Sequence, residues 1–252
     1  MIKNNLRRFG VGLTVIAFWL GVWSLACWLL NQSLNLPLPY PWDVVAALGE
    51  LLHRADFWSS VGWSLWRIVC GFVGAVAVGA ILAMLTVRFR LLHVLFSPAL
   101  SVIRSVPVAS FIFLMFIWMH PDTIPTVIAF LMVLPLVWEN VRQGIMQTDA
   151  KLLEMARVFR MSRFRQMRFV WIPSLKPYWR SALSTGFGFA WKSGVAAEII
   201  CTTGDSIGAQ IAAAKSIYNY DEVFAGTAVV VVLSVVMEWL MRRLTRKWEV
   251  VE

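Results

Sequence analysis

The chain has 252 residues, of which 59% are hydrophobic and 15% charged. Soluble domains carry about 25% charged residues, and a chain this short cannot bury so much apolar surface in a water-soluble core. Its formal net charge of +9 does not mark a nucleic-acid binder, because the basic residues are sorted by segment as a bilayer sorts them.

A bilayer-crossing helix needs roughly 20 apolar residues, and the sequence predicts six spans. The first covers 11–30, too long for a signal-peptide core and without a small-residue cleavage site, so it reads as a retained helix. An amphipathic piece at 42–52 follows and is expected along the outer surface. The second span, 62–87, carries Arg67 near its start. Its Gly71, Ala75, Gly79 and Ala83 lay small side chains along one helix face, which either lines a path or lets another backbone pack closely. The third, 105–119, follows an apolar stretch from Leu91 that Pro98 and Pro107 interrupt. The fourth is 124–138. The fifth, 181–200, holds Gly186, Gly188, Lys192, Gly194 and Glu198, and the sixth is 224–241 with Glu238 near its end. The expected fold is an all-α integral membrane protein with six transmembrane helices in a single domain over 1–252.

Orientation follows from the basic residues. Nineteen of the 23 Lys and Arg fall in segments 1–10, 87–104, 139–180 and 242–252, which places those segments and both termini in the cytoplasm. The intervening external segments hold only Arg54 and Lys215, together with seven acidic residues, and the remaining bases, Arg67 and Lys192, lie within spans.

Ionisable residues inside spans are costly in lipid and face protein or water. Arg67, Lys192 and Glu198 are the candidates for the pathway or for intramembrane pairing, with Glu139 at a span edge. Lys192 and Glu198 are separated by about 240° around a helix, so each needs a partner on another helix or on a second copy. Lys192 reads either as a side chain of the aqueous path that attracts an anion or as half of a structural ion pair. Cys27, Cys70 and Cys201 sit in or beside apolar segments as small packing residues, and His53, His93 and His120 are scattered, so no metal site and no intramembrane enzyme is expected. Many Trp residues, among them Trp138 and Trp239, fall near span ends as interfacial anchors. The stretch GFGFAWKS at 186–193 has Trp191 where a phosphate-binding loop needs glycine, and no strand precedes it. The chain therefore has no nucleotide-binding motif, no cofactor and no expected ATP hydrolysis of its own.

The long segment 139–180 predicts two short helices, 150–159 and 163–171, with Ser162 capping the second and Pro173 and Pro177 as a stop. Apolar residues recur at Leu152, Leu153, Met155, Val158 and Phe159, then at Phe164, Met167 and Val170, with bases on the other face. A basic loop at an anionic lipid surface accounts for the bases but not for the prolines or the single Glu154.

This loop resembles the cytoplasmic signature of permeases in binding-protein-dependent ABC importers, E-A-A-x-x-x-G-x9-I-x-L-P. Glu154 matches the Glu, Ala156 the second Ala, Val170 the Ile, Ile172 the Leu and Pro173 the Pro. Met155 replaces the first Ala, and Arg160 replaces the Gly, where glycine would allow a positive φ. Leu38-Pro39-x-Pro41, Arg67, Arg104-Ser-Val-Pro107, Ala197-Glu198 and Ser206-Ile-Gly208 are similar to the branch that handles taurine, alkanesulfonates and nitrate. The resemblance implies a homodimeric permease of the bacterial inner membrane, surrounded by membrane lipid. It would dock two cytoplasmic ABC ATPase subunits, which bind ATP and Mg, and an external solute-binding protein. It implies that Glu154, Met155, Ala156, Val158, Phe159, Arg160 and Pro173 form the ATPase-coupling site, and that segments 42–52 and 207–218 are candidates for meeting the binding protein. The cargo it implies is a small organic anion such as a sulfonate or taurine, or nitrate, with a neutral or cationic heterocycle still open. A gradient-driven secondary transporter or a channel is the alternative, although no internal repeat supports it.

Overall fold

A computed structural model of the chain describes residues 2–34 and 37–246, with side chains at 12, 14–33 and 37–245. Of the bases counted at the termini, the side chains of Lys3, Arg7, Arg8 and Arg246, and all of Lys247, lie outside the described residues. Every regular element among the described residues is helical. In chain order these are α1 (Ile2–Leu34), α2 (Pro41–His53), α3 (Ala55–Arg88), α4 (Arg90–Ser105), α5 (Val108–Met115) and α6 (Ile124–Met146). Then come α7 (Ala150–Val158), α8 (Arg163–Gln166), a π turn (Met167–Trp171), α9 (Ile172–Cys201), α10 (Ile207–Ser216) and α11 (Tyr220–Arg246).

Four stretches are long and apolar enough to cross a membrane: Thr14–Ser33, Ala55–Arg88, Ile124–Met146 and Tyr220–Thr245. The pair α4 and α5 makes a fifth if it counts as one broken span, bent by 103°. The expected span at 105–119 is thus not one helix. Pro107 has no N–H and pushes the preceding residue out of helical geometry, and Val106 is extended at φ −81°, ψ 133°. The expected fifth span lies inside α9, whose 30 residues include Lys192, Glu198 and several small or polar side chains, and it is not among the four apolar stretches.

The helices form two compact units. In the first, Met1–Trp58 with Gln210–Val229, Asn31 closes a reciprocal pair with the Leu38 backbone at 2.9 and 3.2 Å. Cys27 Sγ donates to the Pro39 carbonyl at 3.2 Å. Pro41 opens α2 at a position where its missing N–H costs nothing, and Asp43 accepts from the Tyr40 N–H at 3.2 Å. Arg54 bridges Asp56 at 2.8 Å and Glu222 at 3.0 Å, and these carboxylates raise its pKa further.

The second unit, Ser59–Ala209 with Val230–Glu252, holds most of the core. α6 is its axis, with Ile128, Ala129, Val133 and Val137 fully buried, and its principal partner is α9. The small-residue row of α3 is a packing surface against α6. A Cβ on Gly71 would lie 2.3 Å from the Thr126 carbonyl oxygen, one on Gly79 would lie 3.1 Å from that of Leu134, and Ala75 and Ala83 are buried. Close backbone approach, not a solvated path, explains this row. Trp138 departs from the expected interfacial role: it is buried and donates Nε1–H to Thr86 Oγ1 at 2.9 Å.

Candidate functional site

The 139–180 segment is built from capped short helices. Asp149 Oδ1 accepts from the Lys151 N–H at 2.8 Å and starts α7. Ala156 and Val170 turn inward and are buried, which anchors the segment. Glu154 is exposed, Met155 is 43% exposed, and Val158 and Phe159 are 79% and 72% exposed. The end of α7 is a Schellman turn: Arg160 N–H meets the Arg157 carbonyl and Met161 N–H meets the Ala156 carbonyl, both at 2.9 Å. That turn requires a left-handed residue, and Arg160 supplies it at φ 47°. The departure from glycine therefore leaves the turn's shape intact and adds strain to it.

Ser162 Oγ accepts from the Arg165 N–H at 3.4 Å, as expected for a cap on α8. The second expected helix does not stop at the prolines. It passes through the π turn, where Ile172 N–H reaches back to Met167, and continues as α9 with Pro173 in its first turn and Pro177 inside it. Proline at a helix start gives up a bond the helix does not make there, and the wider π register precedes it. Pro173 thus joins the loop to a long helix and does not end one.

A second constellation surrounds the α9–α10 turn. Glu198 is fully buried, and its Oε2 accepts from Ser64 Oγ at 2.8 Å and from the Gly208 N–H at 3.4 Å. Ser64 Oγ in turn accepts from the Ile207 N–H at 3.0 Å. Arg67, one turn beyond Ser64 on α3, donates to the Gly204 carbonyl at 3.0 Å and the Asp205 carbonyl at 3.2 Å, with Asp122 Oδ1 at 4.0 Å. Ser206 caps α10 by accepting from the Ala209 N–H. A Cβ at Gly208 would fall 2.4 Å from Glu198 Cβ, so only glycine fits. Arg67, Glu198 and the Ser206–Gly208 stretch, scattered in sequence, thus form one network. Ser64 and Asp122, which the sequence reading did not single out, complete it; of these, only the three-residue spacing of Ser64 and Arg67 on one helix face could have pointed to Ser64.

Lys192 lies elsewhere. It is exposed, one turn from exposed Phe189 on the same face of α9, and makes no hydrogen bond or ion pair among the described residues. Phe189 also lines a cavity of about 550 Å³ with Arg104, Pro107, Met132, Glu139 and Asn140. Among the described residues no group of His, Cys, Asp and Glu has the arrangement of a metal site.

The family described as "Binding-protein-dependent transport system inner membrane component" matches residues 75–250. The chain belongs to this family. The permease is 26% identical over 249 residues to a protein named for aliphatic sulfonate transport, the permease SsuC of Bacillus subtilis (strain 168), covering 97% of this chain and 89% of that one. It is 26% identical over 247 residues to the taurine transport system permease protein TauC of Escherichia coli (strain K12), covering 96% and 89%. A crystal structure of an amino acid ABC transporter with histidines shares the fold at a TM-score of 0.63 and 21% identity, over 80% of this chain and 96% of that one. The permease is accordingly a multi-pass membrane protein and a transport component of its system, not a catalytic enzyme. The resemblance read from Glu154 to Pro173 holds at the level of the family.

Proposed function

We propose that this permease is one of two identical copies that together form the translocation pathway of an ATP-driven importer for a small organic anion of the sulfonate class. The observation that carries the reading is the exposed face of the 139–180 segment. Val158 and Phe159, side chains that water disfavours, are 79% and 72% exposed beside Glu154 and Met155. Buried Ala156 and the capped ends of α7 hold them in place. Apolar anchors beside an acidic side chain are the chemistry of a protein interface, and Glu154 suits a charge-assisted bond to a basic residue of the partner. The partner is a cytoplasmic ATPase pair that binds ATP and Mg. Arg160 shapes the turn after the anchors, and Pro173 passes their motion into α9.

In this reading the single permease domain has six transmembrane segments: α1, α3, the α4/α5 pair, α6, α9 and α11. Both termini and the 139–180 segment are cytoplasmic, the side to which the basic count assigns them. α2 and α10 then face an external solute-binding protein. The sulfonate class rests on the names of the relatives. A gradient-driven carrier offers no use for the Glu154–Pro173 segment.

The test is ATP hydrolysis by the permease co-purified with its ATPase in nanodiscs, with and without loaded binding protein, comparing wild type with Glu154→Ala. Stimulated turnover that falls in the variant is expected. A permease that associates with no ATPase and drives uptake from an ion gradient alone would overturn the reading.

A further inference from the structure

A groove within the larger unit takes no part in the coupling face of α7 or in the network around Glu198. Met84, Val87 and Arg88 of α3, Ile145 of α6, and Met167 and Trp171 of the π turn line a cavity of about 630 Å³, within the roughly 300–1,000 Å³ of ligand-binding clefts. Leu175 of α9 completes the wall and is fixed against α6, where a Cβ on Gly144 would fall 2.8 Å from its Cδ2. Apart from Arg88 the lining is apolar or aromatic.

The place of the groove is set by two helix ends. Arg88 is the last residue of α3, and Ile145 is next to last in α6. The groove therefore opens where the apolar stretches Ala55–Arg88 and Ile124–Met146 run out, which in the orientation proposed above is the cytoplasmic boundary of the bilayer.

Its rim carries uncompensated positive charge. Arg88 is exposed and has no carboxylate or hydrogen bond among the described residues; its guanidinium lies only over the Phe89 ring at 5.3 Å. Arg163, Arg165 and Arg168 on α8 and the π turn are also exposed and without an ion pair among the described residues, and no acidic residue occurs from 155 to 197. Phe164 and Phe169 are exposed between these bases, the pairing of rings and cations with which a segment lies in a headgroup layer. Trp171 is half-buried, and its Nε1–H makes no hydrogen bond among the described residues, so it offers a second donor at an interface that suits indoles.

We infer that this groove seats one anionic phospholipid of the cytoplasmic leaflet, with an acyl chain along Met84, Val87 and Met167 and the phosphate at Arg88. The inference rests on the orientation of the permease reading and adds a lipid partner to it. An apolar wall with a cationic rim fits the tail and head of such a lipid, basic pockets between spans on this side bind anionic head groups, and a guanidinium meets phosphate oxygens in pairs. The 139–180 segment is then divided in its work: α7 faces the ATPase, and the π turn ties the segment to the membrane.

The test uses the full permease with its ATPase in phosphatidylcholine nanodiscs, in which a minor fraction of the lipid is brominated phosphatidylglycerol or brominated phosphatidylcholine. Bromine quenches nearby tryptophan, and the part due to Trp171 is the difference from Trp171→Phe. Brominated phosphatidylglycerol should quench Trp171 at about fivefold lower mole fraction than brominated phosphatidylcholine. Arg88→Gln, a change at an exposed side chain, should bring the two lipids together. Val87→Phe, which fills the groove and keeps Arg88, should weaken quenching by both. Equal quenching in the wild type would make the groove ordinary lipid-facing surface, and a preference that survives Arg88→Gln would assign it to the basic surface at large. Quenching untouched by Val87→Phe would place the lipid outside the groove, and no quenching by either lipid would give the groove to a protein neighbour. Each of these overturns the assignment. ATPase association and turnover stimulated by the binding protein are read on the same nanodiscs. Their absence with the phosphatidylglycerol preference intact counts against the importer reading alone, and their presence without the preference counts against the lipid site alone.

Discussion

Arg160→Gly isolates the strain at the end of α7. Arg160 holds φ 47° in a Schellman turn with both of its hydrogen bonds made. A side chain with a Cβ costs about 1–2 kcal/mol in that region, and glycine removes the cost while losing about 0.5–1 kcal/mol more backbone entropy on ordering. The net expectation is a turn about 0.5–1 kcal/mol more stable, or about two- to fivefold slower local opening. Hydrogen exchange at the Arg160 and Met161 amides reads this directly, since their bonds to Arg157 and Ala156 define the turn. Arg160→Val should act in the opposite sense, because β-branched residues are poorly tolerated at positive φ. If glycine leaves the two amides unchanged or speeds them, the strain is not there and the argument fails.

Val158→Ala and Phe159→Ala should each weaken ATPase association by about 1–2 kcal/mol without lowering the melting temperature of the permease, since both side chains are exposed. A lowered melting temperature with unchanged association would place them in the permease's own packing. Lys192→Met should reduce uptake of an anionic solute while complex assembly persists, and normal uptake would remove Lys192 from the path. Gly208→Ala forces a Cβ against Glu198 Cβ at 2.4 Å and the Ile199 nitrogen at 2.7 Å, neither of which can swing away. A loss of about 1–3 kcal/mol is expected, seen as a lower melting temperature in detergent. Ser64→Ala strands the Ile207 N–H and leaves Glu198 Oε2 with only the longer bond from the Gly208 N–H, and a comparable loss of about 1–3 kcal/mol should follow; unchanged melting in both variants would mean the turn is not held by this network.

The helical segments were legible because long apolar runs have few alternatives, and the start of the helix at 163 because Ser162 is a capping residue in plain view, whereas the Asp149 cap on α7 was not read from the sequence. The motif's glycine position left two outcomes for Arg160, a reshaped turn or a strained one, and the turn's hydrogen bonds with φ 47° show the strained one. Two local inferences failed for one reason, that proline's effect depends on register. Pro173 falls in a first turn and is harmless there, whereas Pro107 falls between two helices and breaks the expected third span. The meeting of Arg67 with residues 204 and 205 and of Ser64 with Glu198 was not legible. Both contacts span more than 130 residues, and no periodicity encodes them.

These contacts divide the intramembrane charges into two kinds. Arg67 donates through Nη1 and Nη2 to two backbone carbonyls, and Glu198 is fully buried between Ser64 and the start of α10. Removing either side chain breaks bonds that hold the α9–α10 turn, and a buried charge left unpaired is strongly destabilising. Lys192, the remaining base within a span, is exposed and makes no hydrogen bond or ion pair among the described residues, so it can exchange water for a solute at little cost. Substitutions in the first set should therefore show themselves in stability before transport, and those of Lys192 in transport before stability.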